Sequence, residues 1–351
     1  MRFTLAPIAG FSNAAFRLMA ARGGADMTYT EMVSAAGLAH GSSPTRHLLE
    51  VLPGEGPVAC QLFGSKPDEL AYAAREVSSL GRFVELDLNA GCPVPRIIHE
   101  GSGAALVKNP ALVHDLISAM VAETDLPVTL KTRPGPRPDK VMMLELLDAA
   151  ETAGAKGITL HGRFTSQSHA GDVHLDLIAE LVRAAKIPVT GNGGVKDAET
   201  ARAMAETGVS AIMVGRAALP DPYIFSALKN CEVERFSSGV SSMPGTASSV
   251  PDGTGRIAQP LRSTPQRLNA STLFLEHLDA LKALHSQIAA AFPGDRLPTL
   301  DSWTVIAVRT HLFRYFSGMP GAAQFRRRMV SASTIADIMA SADPRLFGEQ
   351  P

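Results

Sequence analysis

The chain has 351 residues, 45% of them hydrophobic, with a formal net charge of -1. The length exceeds one average domain and fits a barrel of about 250 residues with a smaller appendage; the balanced charge excludes a uniformly cationic surface, so a polyanionic partner must be met by a local patch. Three widely spaced cysteines, Cys60, Cys92 and Cys231, argue against a disulfide framework and a Cys-x-x-Cys metal site, so no metal is expected.

Phe3 to Ile8 predicts a strand closed by Ala9 and Gly10, and Ser12 is expected to cap the helix behind it, with Phe16, Leu18 and Met19 among its buried positions. Further strands are expected over 26–30, 57–63, 83–89, 127–131, 157–161, 188–191 and 210–215, with helical periodicity over 67–80, 110–123, 141–153, 175–185 and 198–206. Short, mostly apolar strands alternating with helices imply an α/β protein with a parallel sheet. Eight such units in this length favour closure as a (β/α)8 TIM barrel over an open doubly wound sheet. After Phe225 the character changes: 234–269 is rich in Ser, Gly and Pro and reads as a linker or long surface loop. Helices are expected again over 273–292, 302–316, 322–329 and 334–340. The expected division is a catalytic barrel over 1–233, a linker over 234–269 and a small all-helical domain over 270–351. With no apolar leader at the start and no run of about eighteen apolar residues, a cytoplasmic location without a membrane partner is expected.

The stretch from Val84 to Pro95 organises the chemistry. Val84, Leu86 and Leu88 alternate with Glu85 and Asp87, so one strand face is apolar and the other can line a polar cavity. Gly91, Pro93 and Pro95 then force a turn, which places Asn89 and Cys92 at the carboxyl end of the strand. That end of a barrel carries the active site. Gln61, Lys131 with Arg133, His161 with Arg163, and Asn192 fall at the other strand ends. Each alone has a structural explanation, but together they point amides, a thiol, cations and an imidazole into one cavity suited to a planar polar ligand. Gly191 to Val195 and Val214 to Ala218 form glycine-bearing turns after the last two strands, where such barrels bind phosphate, and Arg216 can add charge. A phosphate handle without a Rossmann fingerprint suits flavin mononucleotide (FMN).

The blocks Leu5-Ala6-Pro7-Ile8-Ala9-Gly10, Tyr29-Thr30-Glu31-Met32-Val33-Ser34, Gln61-Leu62-Phe63-Gly64-Ser65, Asp87-Leu88-Asn89-Ala90-Gly91-Cys92-Pro93, Lys131-Thr132-Arg133, His161-Gly162-Arg163, Gly191-Asn192-Gly193 and Val214-Gly215-Arg216 resemble, in this order, the signatures of the tRNA-dihydrouridine synthases. The resemblance spans residues 3 to about 229 and implies an FMN-dependent barrel with a helical tail that binds tRNA. It implies that Gln61, Lys131, His161, Asn192, Gly193, Gly215 and Arg216 contact FMN, with Ala6 and Pro7 beside the ring system. It implies also that Cys92 is the catalytic acid and that Asn89 helps to hold the uracil, with Arg133 and Arg163 beside it on the substrate side. NADPH or NADH would supply the electrons. In the tail, Arg309, His311, Arg314 and Arg326 to Arg328 are similar to the family's basic helical segment and are expected to face RNA, although Thr310 stands where Lys is usual. Gly194 stands where Asp is common and Phe164 where Thr is common, departures that leave the flavin site intact. Two other readings stay open: a flavin barrel acting on a free pyrimidine or other small unsaturated substrate, and a tRNA-binding protein without redox activity.

Overall fold

The structure is a computed structural model that describes residues 1–230, 269–318 and 321–341. Eight parallel strands close on themselves: β1 (Arg2–Leu5), β2 (Met27–Tyr29), β4 (Val58–Phe63), β5 (Glu85–Ala90), β6 (Val128–Thr132), β7 (Gly157–His161), β8 (Val189–Asn192) and β9 (Ala211–Val214). Closure is made by β1 on β9, with Leu5 opposite Val214, and by β2 on β4, with Tyr29 opposite Ala59. The extra strand β3 (Val33–Ser34) pairs only with the end of β4. The (β/α)8 TIM barrel expected from the pattern is therefore the fold, and the open sheet is excluded.

Alternation explains how each strand serves two environments. Leu86, Leu88, Leu130, Ile158, Leu160 and Ile212 join the surrounding helices in the main core. Ala6, Tyr29, Ala59 and Met213 form a small separate cluster, and the positions left to the barrel interior are polar: Gln61, Asp87, Asn89 and Thr129 are all buried. Val84 lies outside the strand and is 45% exposed, so the apolar alternation begins one pleat later than expected. Ser12 does not cap α1 (Ala14–Arg22). Asn13 does, accepting from the Phe16 N–H, while the buried Ser12 hydroxyl accepts from Ile8 N–H and closes the turn after β1.

Among the described residues, four helices follow residue 269: Ala270–Ala291, Leu300–Tyr315, Ala322–Ser331 and Ile335–Ser341. Their core is shared with the barrel, since Leu273, Phe274, Leu281, Val308 and Leu312 pack in one cluster with Ala15, Leu18 and Met19 of α1. Cys231 and the Ser/Gly/Pro-rich stretch 234–268 lie outside the described residues. No helix among the described residues is long and apolar enough to cross a membrane, and none of their His, Cys, Asp and Glu side chains form a group of three able to hold a metal ion.

Two histidines are buried in that shared core. His311 faces the Phe11 carbonyl through Nε2 at 3.0 Å and lies edge-on to His277, whose Nδ1 is 2.9 Å from the Tyr315 hydroxyl. Burial pushes the His311 imidazole down from 6.5 to about 4 and His277 well below its ordinary value. Below about pH 6.5 the unfolded chain binds protons that the folded chain refuses, so stability is full above that pH and falls as pH drops towards 4. At about 1.4 kcal/mol per pH unit for each group, His311 alone removes roughly 3 kcal/mol by pH 4. Thermal unfolding from pH 7 to 4.5 should show a falling midpoint, and His311→Leu should flatten that profile. An unaltered slope in the variant would assign the effect elsewhere.

Candidate active site

The strand ends gather most of the expected residues at one mouth of the barrel. Ala6 N–H donates to the Val214 carbonyl at 2.8 Å, and a Cβ added to Gly215 would lie 3.7 Å from that of Ala6, so the ends of β1 and β9 form one wall. On the opposite wall, Gln61, Asn89 and the Cys92 loop are joined by hydrogen bonds. Asn89 Oδ1 accepts from the N–H groups of Gly91 at 3.1 Å and Cys92 at 3.0 Å, while its Nδ2 donates to Gln61 Oε1 at 2.7 Å and faces Met32 Sδ at 3.0 Å. The Asn89 amide thus anchors the Cys92 turn. The Cys92 carbonyl accepts from Ala104 N–H at 2.9 Å. Gly103 at φ +59 permits this, because a Cβ there would come within 2.8 Å of the Cys92 oxygen.

The cations divide into two sets. Lys131 Nζ donates to Asn192 Oδ1 at 2.8 Å, and Asn192 Nδ2 donates to the Met213 carbonyl at 2.8 Å, so three strand ends hold one ammonium in place. Burial brings Lys131 down to about 8, opposed by nearby Asp87. Arg133, 3% exposed, donates to the backbone carbonyls of Gly91, Arg163, Phe164 and Ser168, and Arg163 donates to Gly171. With Arg216 donating to His169, three guanidinium groups pin the 165–172 loop over the mouth. Arg133, expected on the substrate side, braces the Cys92 turn against this loop through its Nε and Nη1.

Burial pushes the Cys92 thiol up, more than the Val94 N–H, Arg133 and Lys131 bring it down, so the half-buried thiol keeps its proton at neutral pH. Burial, reinforced by Lys131, Arg133 and Arg163, drives His161 strongly down, leaving it a neutral imidazole. Among the described residues, His161 Nδ1 and Arg163 Nη1 are buried without a partner. Beside them, Gly193 at φ +114 and Gly194 at φ +76 hold a turn that side chains would fill: a Cβ on Gly193 would meet His161 Nε2 at 3.3 Å, and one on Gly194 would meet Val173 at 2.9 Å. Two orphaned nitrogens beside a glycine cradle, with Arg216 exposed at its edge, fit a phosphate-bearing polar ligand.

The tail residues expected at RNA separate. Arg314 and Arg326 to Arg328 are exposed. His311 is fully buried, because its helix turns it towards Phe11 and Phe16 of the barrel, so it does not stand on an outer face. Arg309 is half-buried and donates to the Ala332 carbonyl at 2.9 Å, fastening the middle of its helix to the end of the next. The acids Glu85 and Asp87, expected on the cavity-lining face of their strand, lie in the barrel interior with Tyr29 and Thr129 bound to them. Glu31, to which no role was assigned, accepts from Gly10 N–H at 2.5 Å.

Fold and mouth define a TIM-barrel enzyme with a thiol, amides and cations at the carboxyl ends of its strands. The sequence profile of the dihydrouridine synthase (Dus) family matches residues 4–282. The "Probable tRNA-dihydrouridine synthase" of Treponema pallidum is 31% identical over 324 residues, covering 90% of each chain. "tRNA-dihydrouridine synthase B" of Pseudomonas aeruginosa is 30% identical over 326 residues, 93% of this chain and 86% of that one. The chain belongs to the dihydrouridine synthase family, a family of oxidoreductases.

Proposed function

We propose that the protein reduces uridines of tRNA to 5,6-dihydrouridine, with FMN at the barrel mouth and NADPH or NADH as reductant. The observation that carries this reading is a protonated, half-buried thiol, Cys92, held by Asn89 at the rim of a mouth that also offers a glycine cradle and unpartnered donors. Ala6, Pro7, Gln61, Lys131, His161, Asn192, Gly193, Gly215 and Arg216 would hold FMN, which when bound and reduced supplies hydride to the uracil ring. Cys92 gives its proton to C5, and the resulting thiolate is reprotonated from solvent. Lys131, fixed by Asn192, stabilises negative charge developing on the conjugated carbonyl. A stacked or paired uridine must leave its helix to reach this depth. In this reading the barrel over 1–233 performs the chemistry, and the exposed arginines of the helical part from 270 onward hold the rest of the RNA. The compartment in keeping with a tRNA substrate is the cytoplasm.

Purified protein should be yellow and release FMN, not FAD, on denaturation, because the cradle at Gly193 and Gly194 would take one phosphate group and the sequence carries no dinucleotide fingerprint. Protein that is colourless and stays so after incubation with FMN would overturn the reading.

A further inference from the structure

Beneath the mouth, a chain of hydrogen bonds runs down the barrel interior from the Cys92 turn. Its direction can be worked out from the top, where no choice exists. Backbone N–H groups can only donate, so Gly91 and Cys92 fix the oxygen of Asn89 towards themselves. Asn89 Nδ2 must then point to Gln61, which fixes Gln61 Oε1 towards Asn89 and Nε2 downward. The atom that receives Gln61 Nε2 is Asp87 Oδ2, at 2.6 Å. Asp87 Oδ1 in turn accepts from the Thr129 hydroxyl at 2.8 Å, and Thr129 lies 3.0 Å from Glu85, which also accepts from Tyr29. Asp87 has no solvent exposure, and its side-chain hydrogen bonds go to Gln61 and Thr129, not to the Cys92 turn.

We infer that Asp87 is a positioning residue: as the acceptor that terminates this chain, it stabilises the amide orientations of Gln61 and Asn89 that the turn requires and through them holds the Cys92 thiol in its working place. Either amide reversed would face its neighbour oxygen to oxygen or nitrogen to nitrogen, and with Asn89 reversed the two N–H groups of the turn would lose their acceptor. What position 87 must provide for the Cys92 turn is an acceptor towards Gln61; its charge bears on Lys131 instead. Asparagine meets that need, with its oxygen towards Gln61 and its amide nitrogen towards the Thr129 oxygen, Thr129 then donating to Glu85. The inference rests on the proposed role of Cys92 only where turnover is concerned; the placement of the thiol can be read without flavin or RNA.

The test compares Asp87→Asn, Asp87→Ala and Gln61→Met, the last of which nearly preserves volume and keeps Asp87 while removing the donor towards it. Iodoacetamide labelling of Cys92 in the full chain is followed by peptide mass, with the fully buried Cys60 as internal control. Loss of one hydrogen bond to a charged group corresponds to roughly tenfold, so Asp87→Ala and Gln61→Met should label about tenfold faster at Cys92 only. Asp87→Asn should keep parent labelling within about twofold. Labelling rather than turnover is the readout, because Gln61 is proposed to hold FMN and the Asp87 charge also supports Lys131. If Asp87→Ala does not fold, Gln61→Met and Asp87→Asn decide alone. Parent labelling in a folded Gln61→Met variant, or Asp87→Asn labelling as fast as Asp87→Ala, would overturn the inference.

Discussion

Cys92→Ala is expected to retain its flavin and its reduction by NADPH or NADH while dihydrouridine formation falls by roughly 10²- to 10⁴-fold, the range for removal of a positioned general acid. The substitution removes the one group at the mouth whose proton is held in place by burial and whose main chain is tied at both ends, by Asn89 Oδ1 and by Ala104 N–H. Its volume change is small and the site is only half-buried, so folding should be little affected. Single-turnover reduction of tRNA by the pre-reduced variant, with flavin content measured on the same sample, separates proton delivery from cofactor loss. Turnover at the parent rate would place the acid elsewhere, with Lys131 next in line because burial has already brought it down to about 8.

Replacing Arg326, Arg327 and Arg328 together by Ala should weaken tRNA binding by at least about tenfold at low salt and reduce the slope of log affinity against log salt by roughly two. All three side chains are exposed on one helix, Ala322–Ser331, whose buried residues Phe325 and Met329 hold it to the rest of the tail. The substitution therefore removes charge without removing packing. Flavin content and reduction by nicotinamide should stay at parent values, since these arginines lie outside the barrel mouth. Salt-titrated binding decides: an unchanged affinity and slope would move the RNA contact away from this helix and favour a small unsaturated substrate. His311 should not be added to this set, because its loss would loosen the docking of the helices on the barrel and mix a folding defect into the binding measurement.

Much of the architecture was legible along the chain because it depends on local period. Alternating strands and amphipathic helices gave the eight units, and the glycines at 193 and 194, both at positive φ, marked the cradle after β8. The residues at strand ends could be gathered as soon as closure was assumed, since every strand of a parallel barrel points its carboxyl end to the same face. Helix ends were within a few residues for the same reason: Pro67, Pro110 and Asp197 mark starts by their own chemistry.

What the linear pattern could not decide is which polar atoms face each other. The sequence by itself determined that Asn89, Arg133, Arg309 and His311 stand at polar or basic positions of the right elements, and that Cys92 ends a strand beside a forced turn. Only the tertiary structure decided that Asn89 anchors the Cys92 turn, that Arg133 is a brace between loops, that Arg309 fastens one helix to another, and that His311 is sealed against Phe11. The physical reason is that a donor's task depends on the acceptor brought opposite it by elements distant in sequence: Asp87 meets Gln61 across 26 residues, and His311 meets Phe11 across 300. Period and turn chemistry act over a few residues and set the scaffold, whereas satisfaction of buried polar groups is settled only when the barrel closes and the helices dock.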